Sequence, residues 1–332
     1  HVKFGMKKDG LATAVEMTQI ADAGATASTQ EFMLAVGTNS LPILCKTNNK
    51  KFDAKVVVTN HVPSGSFRGY GYLESSNLLT AAIFEACRRV DVDPMVYLEK
   101  NALALGEEFH NACSPMHPWQ HNNSSDWQNL VRETAKACHW SERWKGWGVP
   151  TWVSPDGKKR RGIGVSAAGH ADTGGKTSNA TVTITGLGAV YISTCMAEFG
   201  SGIRDIMQKI VAEELDMPIE SVKMAPADTG ATPADFGSTG SRSTYCGGIC
   251  ALKAAQDVKR QLFEIVEQRH GIPKDDLALK NGKIYQISNP EKVLPLFPMV
   301  IGKVDSITGV GHHNGVEDST IMHLQVIEVE VD

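Results

Sequence analysis

The sequence of 332 residues predicts an α+β fold in which mixed sheets with flanking helices form two subdomains. Three stretches alternate between apolar and polar side chains, as half-buried strands do: residues 2–17, 181–193 and 322–332. Three others repeat apolar residues at helical spacing: residues 78–86, 203–215 and 252–265. A turn signal at 154–157 separates the two halves, and we place the subdomains at residues 1–150 and 151–332.

The first half begins with a predicted β-hairpin, because residues 2–17 alternate on both sides of an Asp-Gly turn signal. A second apolar cluster at 55–58 ends a strand and enters a glycine-rich loop at 64–71. A helix follows this loop, and we expect Ser75 or Ser76 to cap it. The predicted order is therefore strand, glycine-rich loop and helix.

The second half repeats this order twice. Residues 181–193 form a predicted hairpin around Gly-Leu-Gly, and residues 198–202 then lead into the helix at 203–215. A short strand at 222–224 precedes the segment 235–248, which is rich in small and hydroxylic residues and stands before the last long helix. The chain thus places a glycine-rich loop before a helix three times.

Composition excludes several classes of function. A formal net charge of −4 provides no basic surface, so we expect no nucleic-acid partner, and no window holds the ~18 unbroken apolar residues of a membrane span. Seven cysteines are scattered without a paired framework, which is typical of a reducing compartment and predicts a cytoplasmic protein. Since no Cys-x-x-Cys pair occurs, we expect no iron–sulfur cluster held by this chain alone. No signal peptide is visible after His1, and we expect a processed subunit or a piece of a longer chain.

The three glycine-rich loops favour the binding of a polar, anionic ligand. A helix N-terminus presents unpaired N–H groups and the positive end of its macrodipole, so anions bind there readily. Serine and threonine hydroxyls add hydrogen-bond donors, and the Arg242 guanidinium adds several charged N–H donors. Glycines let a ligand approach the backbone closely. One such loop is equally well explained as a polar turn that caps its own helix. Three of them favour one large ligand held by several helix N-termini.

Other binding motifs do not account for these loops. The glycines at 309–315 are followed by acidic and polar residues instead of an apolar helix face, and no P-loop run occurs. The weakest alternative is a zinc module built on one of two histidine groups, which lack cysteines or acids at convincing spacing. These groups are His110, His117 and His121, and His312 and His313.

At the three loops the chain resembles the molybdenum-binding subunit of the xanthine dehydrogenase and aldehyde oxidase family, the molybdenum hydroxylases. The matching segments are Gly65-Ser66-Phe67-Arg68-Gly69-Tyr70-Gly71, Glu198-Phe199-Gly200-Ser201-Gly202, and Asp228-Thr229 followed by Gly240-Ser241-Arg242-Ser243-Thr244. Their order and spacing agree with the family, and the resemblance runs from about Phe4 to Asp332. It implies the large-subunit fold of the molybdenum hydroxylases, incomplete at both ends.

The resemblance implies a molybdenum-pyranopterin cofactor in its cytosine dinucleotide form, whose dithiolene sulfurs bind the metal without a protein ligand. The residues it places around the molybdenum oxo group are Phe67, Arg68 and Gly69. Gly200, Ser201 and Gly202 match a loop that usually reads Gly-Gln-Gly, so that serine replaces a glutamine which contacts the cofactor. The residues assigned to the pterin and its phosphates are Ser241, Arg242, Ser243 and Thr244.

A substrate pocket is also implied by the resemblance. Tyr70 stands where the family has an aromatic side chain that packs against a flat substrate, and a buried core aromatic is the alternative. Ala168 and His170 match a segment that forms the opposite wall, and an interior histidine with satisfied hydrogen bonds is the alternative for His170. No arginine precedes Phe67, where purine-oxidising members hold their substrate, so we do not expect a purine.

The resemblance assigns no catalytic residue to this chain. The family mechanism uses a glutamate in a Gly-x-Gly-Glu context far downstream, and this sequence ends before such a motif. The base is therefore expected on another chain or in a missing segment, as in relatives with a split molybdenum subunit such as nicotinate dehydrogenase. The expected partners are the remaining part of the molybdenum subunit, an iron–sulfur subunit with [2Fe-2S] centres and an FAD subunit, in a hetero-oligomer that acts on a small molecule.

The implied function is hydroxylation of an aromatic N-heterocycle or oxidation of an aldehyde, with water as the oxygen source. We expect the chain by itself to be inactive. Two alternatives stay open at this point, namely an aryl-CoA reductase subunit of the same family and a non-catalytic structural or assembly module.

Overall fold

The computed structural model describes residues 1–27, 29–110, 119–171, 177–295, 305–314 and 320–332. The chain forms two compact units: unit 1 consists of His1–Asp172 together with Ser319–Asp332, and unit 2 is Thr173–Asp318. The chain therefore leaves unit 1, forms unit 2 and returns. This division differs from the boundary that we placed after residue 150, and the assignment of residues 1–150 and 151–332 to separate cofactor-binding subdomains stays a prediction.

Unit 1 contains short and long strands and a set of helices. Its strands are β1 (Val2–Met6), β2 (Ala12–Gly24), β3 (Lys50–Val58), β4 (Glu108–His110), β5 (Trp119–His121), β6 (Trp152–Val153), β7 (Arg160–Ala171) and β15 (Thr320–Val331). Its helices are α1 (Gln30–Gly37), α2 (Ser40–Leu44), α3 (Tyr72–Arg89), α4 (Pro94–Asn101), α5 (Trp127–Ala137) and α6 (Trp140–Arg143).

Two three-stranded sheets frame unit 1. In the first, β2 lies between β1, to which it is antiparallel, and β3, to which it is parallel. In the second, β7 lies between β6 and β15 and is antiparallel to both, while β4 and β5 form a separate ribbon. Leu79 of α3 belongs to one buried core with Met17 of β2 and Val165 of β7. Helix α3 therefore joins the two sheets through a shared core.

Strand β15 completes unit 1 from the far end of the chain. It pairs with β7 along its whole length, from Thr320 opposite Ala171 to Val331 opposite Arg160. The hydroxyl of Ser124 also donates to the Thr320 carbonyl at 2.8 Å. Because Ala171 and Thr320 are paired, the described residues on either side of unit 2 are neighbours in one ladder.

Unit 2 is built from two sheets and two long helices. Its strands are β8 (Ser178–Thr185), β9 (Val190–Thr194), β10 (Val222–Met224), β11 (Leu277–Lys280), β12 (Lys283–Gln286), β13 (Asn289–Pro295) and β14 (Ser306–His313). Its helices are α7 (Ile203–Glu214) and α8 (Gly248–His270), with a π-helical turn, Ser243–Gly247, in front of α8. One sheet has the order β10-β9-β8-β14, and the other has the order β11-β12-β13.

Helix α8 packs against β14 at very short range. A Cβ atom at Gly311 would overlap the carbonyl oxygen of Cys250, and one at Gly309 would overlap that of Ala254. The facing side of α8 is fully buried and includes small residues such as Ala251. The glycines of β14 thus serve close packing of helix on sheet, which is consistent with the absence of a nucleotide-binding motif there.

Most local predictions are confirmed. The hairpins β1–β2 and β8–β9, the helices α3, α7 and α8, and the strand β15 all form where the patterns place them, and the α+β class holds. The predicted cap of α3 is wrong, because Gly71 is its N-cap and Ser75 and Ser76 are buried inside the helix. The helix begins earlier than the apolar pattern suggests, since Gly71 ends the loop in a left-handed conformation with φ of 95°.

None of the described helices combines the length and apolar character that crossing a membrane requires.

Replacing Gly311 by alanine tests the close packing of α8 on β14. We expect Gly311→Ala to lower the free energy of unfolding by about 1–3 kcal/mol, because the new methyl group forces helix and strand apart. The control is Gly164→Ala in β7, where an added Cβ meets nothing within 4 Å and the expected change is within ~0.5 kcal/mol. Denaturation followed by circular dichroism measures both, and equal effects would contradict this account.

Candidate functional site

The three glycine-rich segments are called the first loop (residues 64–71), the second loop (198–202) and the third loop (235–248). The first loop lies in unit 1 between β3 and α3, and the other two lie in unit 2 in front of α7 and α8. Each therefore stands before a helix, as the sequence predicts.

The first loop ends in a strained turn. Gly69, Tyr70 and Gly71 have φ of 91°, 46° and 95°, a left-handed conformation that a tyrosine rarely adopts. The N–H of Tyr70 donates to the Phe67 carbonyl at 2.9 Å, and the N–H of Tyr72 donates to the Gly69 carbonyl at 2.9 Å. These bonds hold the turn, while the Phe67 side chain stays 74% exposed. Backbone strain of this kind concentrates at functional sites.

A carboxylate anchors the entry to the first loop. Asp22 accepts hydrogen bonds from the Thr59 hydroxyl at 2.6 Å and the Gly24 N–H at 2.8 Å, and it contacts Nδ1 of His61 at 2.5 Å. These contacts, that of Thr59 foremost, lower the pKa of Asp22 to about 2. The Ser64 hydroxyl donates to the Asp22 carbonyl at 2.6 Å, so the loop starts from a tethered residue.

The predicted pocket residues Ala168 and His170 lie on β7, close to the start of α3. The ring of His170 packs on Tyr72, the first residue of α3, with centroids 4.2 Å apart. His170 is half-buried, and its Nδ1 atom is buried without a hydrogen-bond partner among the described residues. Burial lowers the pKa of His170, and His323 lowers it further. Among the described residues His170 thus lacks a hydrogen bond at Nδ1, while Ala168 is exposed and Tyr70 half-buried.

The second loop is occupied by its own carboxylate. Glu198 accepts hydrogen bonds from the N–H groups of Gly200, Gly202 and Arg204 at 2.7, 3.1 and 3.4 Å. These backbone donors, Gly202 foremost, lower the pKa of Glu198. Glu198 therefore takes the anion position at the N-terminus of α7, where the sequence predicted an external anion. Ser201 remains exposed between the two left-handed glycines.

Arg242 lies inside the third loop instead of projecting from it. Its side chain is 1% exposed and forms an ion pair with Asp235 at 2.7 Å, whose side chain is fully buried. The same guanidinium donates to the carbonyls of Gly237 and Thr177, both at 2.8 Å, and to the Ser178 hydroxyl at 2.5 Å. Both of its terminal nitrogens are therefore engaged by protein acceptors. The prediction that Arg242 touches the pterin or its phosphates is not supported by this arrangement.

The structure brings the second and third loops together in unit 2. The Ser238 hydroxyl donates to the carbonyl of Ala197, just before the second loop, at 3.0 Å. Beyond this link, Ser241 adopts a left-handed φ of 57°, and Ser241 and Thr244 present exposed side chains. Ser243 is half-buried at the start of the π-helical turn. The second and third loops thus offer exposed hydroxyl donors on linked stretches of backbone.

Two features of the site are missed by reading the sequence. From the sequence alone, no role is assigned to Glu198 or Asp235. In the structure, Glu198 accepts N–H groups of the second loop, and Asp235 pairs with Arg242 in the third. An acidic residue shortly before a helix is a recognised partner of its N-terminus, which is a signal that points to Glu198. No sequence signal identifies Asp235 as the partner of Arg242, because that contact depends on the folded loop.

The histidines of the zinc alternative have other contacts. His110 packs edge to face on Trp119 with centroids 5.2 Å apart, and Nδ1 of His312 lies 2.8 Å from the Asn179 side-chain oxygen. His117 lies outside the described residues. In the part of the chain that the structure describes, no group of three or more histidine, cysteine or acidic side chains is arranged to hold a metal ion.

Acid titration tests the role of Glu198. Because its pKa is lowered in the folded protein, its stabilisation is fully present above the ordinary value of 4.5 and is lost as pH falls through the lowered value. We expect Glu198→Gln to melt at a lower temperature than the wild type at pH 7, with a difference that shrinks below about pH 4.5. Thermal melts of both proteins across this range measure the difference, and a gap that does not depend on pH would count against the carboxylate.

Charge removal tests the buried pair of the third loop. Arg242→Met leaves the Asp235 carboxylate buried without its counter-charge, and we expect a loss of about 3–5 kcal/mol in the free energy of unfolding. The double variant Arg242→Met with Asp235→Asn should regain part of this loss. The matched control is Arg260→Met, which removes an exposed arginine and should cost no more than ~1 kcal/mol. Equal losses in the two arginine variants would show that burial of the pair is unimportant.

Comparison with known proteins gives two family matches. The molybdopterin cofactor-binding domain matches residues 1–102, and a second domain of the same description matches residues 123–332. The two matches include all three loops. The probable hypoxanthine oxidase XdhD of Escherichia coli is 25% identical over 288 residues, which are 84% of this chain and 29% of that protein.

A second relative is similar to this chain at a comparable level of identity. The gamma subunit of the 6-hydroxypseudooxynicotine dehydrogenase complex of Paenarthrobacter nicotinovorans is 26% identical over 259 residues, which are 74% of this chain and 31% of the relative. The chain thus spans less than a third of the length of these relatives.

Solved structures show the same fold. A Cu,Mo-CO dehydrogenase aligns over 100% of this chain and 44% of its own, with a TM-score of 0.77 and 18% identity. Quinoline 2-oxidoreductase from Pseudomonas putida 86 aligns over the same shares with a TM-score of 0.76 and 18% identity. With two molybdopterin cofactor-binding domains and this fold, the chain belongs to the molybdenum hydroxylase family.

Proposed function

We propose that this chain is the cofactor-holding part of a molybdenum hydroxylase that adds a water-derived oxygen to an aromatic N-heterocycle or an aldehyde. The observation that carries the proposal is the pair of molybdopterin cofactor-binding matches, which together include every glycine-rich loop. The relatives include a probable hypoxanthine oxidase, a subunit of a dehydrogenase complex and an aldehyde oxidase. When bound, the molybdenum-pyranopterin would supply the redox and oxygen-transfer chemistry, and the chain would bind and orient it.

The residues of unit 2 fit a large polar cofactor. Ser201, Ser241 and Thr244 are exposed on the joined second and third loops, so their hydroxyls can donate to phosphate and pterin oxygens. The cofactor contact of the second loop is assigned to the Ser201 hydroxyl and to the surfaces of Gly200 and Gly202, since Glu198 takes the N–H groups.

Arg242 is assigned a positioning role in this proposal. Its bonds to Asp235, Gly237 and the start of β8 set the path of the third loop, and Ser241, Ser243 and Thr244 follow from that path. In unit 1, the turn at residues 67–69 is assigned to the surroundings of the metal. Tyr70, Ala168 and His170 are assigned to the substrate pocket, where the ring of His170 packs on Tyr72 at the start of α3.

The remaining parts of the enzyme are proposed to lie outside this chain. We assign the general base to another polypeptide or segment, and [2Fe-2S] and FAD to partner subunits of a hetero-oligomer. The cofactor is proposed to carry cytosine dinucleotide. Six described cysteines are free thiols, which supports a cytoplasmic location.

Metal and pterin analysis of the native complex tests the proposal. A complex captured through a tag on this chain is expected to contain molybdenum by plasma mass spectrometry, a pterin after oxidation, and CMP after mild acid release. Absence of both molybdenum and pterin would overturn the proposed function. Release of another nucleotide would overturn only the cytosine assignment.

Paired substitutions test the assigned loop. Ser241→Ala with Thr244→Ala is expected to reduce molybdenum per chain at least about tenfold, because two donors to a charged group are lost. Circular dichroism should show an unchanged fold. The control is Ser141→Ala, which removes an equally exposed hydroxyl from α6. Equal molybdenum contents in the double variant and the control would contradict the assignment.

A further inference from the structure

Unit 1 contains a cavity that the cofactor proposal does not use. Its volume is about 600 Å³, within the range of small-molecule sites, and it lies among α2, the start of β3 and the β4–β5 ribbon. Its apolar wall includes four large side chains: Leu41, Phe52, Leu103 and Phe109. Three of these are buried and Phe52 is half-buried, so the wall is part of the core and does not depend on surface rotamers.

The charged side chains around the cavity differ in whether they form ion pairs. Lys46 forms an ion pair with Glu107 at 2.9 Å, and the other carboxylate oxygen of Glu107 accepts the Ala104 N–H at 2.8 Å. Lys50 also lines the cavity and forms no ion pair with any described residue. Burial lowers the pKa of Lys50, and the Cys45 thiol only partly offsets this. Glu108 also lines the cavity, but it is exposed to solvent and forms no ion pair with Lys50, so among the described residues this half-buried cation has no counter-charge in direct contact.

Part of the cavity lining is aromatic and exposed to solvent. His110 and Trp119 line it and pack edge to face, and Trp119 is 58% exposed. An exposed indole beside an apolar wall offers a flat ring both packing area and stacking. A ligand that matches all three features is planar, apolar and singly negative.

We infer that this cavity binds a flat aromatic carboxylate, with the ring against the apolar wall and Trp119 and the carboxylate at Lys50. The inference is independent of the cofactor proposal, since none of the three loops lines the cavity. Two sources of energy are expected to act together. They are burial of the ring and replacement of water around Lys50 by a charge-assisted hydrogen bond.

Binding of 2-naphthoate and of neutral 2-naphthamide to the native complex tests the inference. Calorimetry is expected to give a dissociation constant at least about tenfold lower for the acid than for the amide, because only the acid compensates Lys50. This comparison needs no substitution. No binding of 2-naphthoate, or equal affinity for acid and amide, would overturn the inference.

Two lysine variants locate the site. Lys50→Met is expected to weaken 2-naphthoate at least about tenfold and to leave 2-naphthamide unchanged. The matched control is Lys55→Met, which removes an exposed ammonium from the same strand outside the cavity and should change affinity less than twofold. Quenching of tryptophan fluorescence by the acid should disappear in Trp119→Phe. Equal weakening by the two lysine variants would place the anion elsewhere and overturn the inference.

Discussion

The buried pair of Arg242 and Asp235 is the constraint on which the third loop depends. Removing two charges from water is costly, and the cost is offset only when every hydrogen bond is well placed. Arg242 reaches back to Thr177 and Ser178, and Asp235 accepts the N–H of Asn179 at 3.0 Å. The pair therefore ties the loop to the first residues of β8. The left-handed Ser241 and the π-helical turn Ser243–Gly247 lie directly next to Arg242 in this loop.

Carboxylates play a second, related part in the loops. Asp22 organises the entry to the first loop, and Glu198 gathers three N–H groups at the second. In each case a carboxylate of the chain itself accepts hydrogen bonds from the backbone N–H groups of glycines. The loops are thus preorganised from within, and an external ligand meets hydroxyls and glycine surfaces in place of bare helix ends.

Much of the fold is predictable because its signals are local. The alternation at β8–β9 and the helical spacing of α7 depend on side chains a few residues apart, and both form as predicted. The cap of α3 was misplaced because Gly71 acts through a backbone angle that periodicity does not report. The contacts of Arg242 are hard to predict for another reason. A charged residue in a polar loop reads as a ligand contact, whereas its partners lie up to 65 residues away and are joined only by folding.

Two buried polar groups differ in their partners. They are the ion pair of Arg242 and Asp235 and the Nδ1 atom of His170, which has no partner among the described residues. The two terminal nitrogens of Arg242 and the Asp235 carboxylate bond to protein groups, and the pair is expected to act through geometry. No described residue bonds to the buried Nδ1 atom of His170, and such a group in a native protein calls for an explanation. Residue type alone, read from the sequence, does not separate these cases.

The return of the chain through β15 has a consequence for biosynthesis. Strand β7 emerges from the ribosome about 150 residues before the strand that covers its second edge, and synthesis of that interval takes on the order of ten seconds. During this time one edge of β7 has exposed hydrogen-bonding groups, which are a template for pairing with other chains. A nascent chain of this topology therefore benefits from a chaperone that covers this edge until β15 arrives.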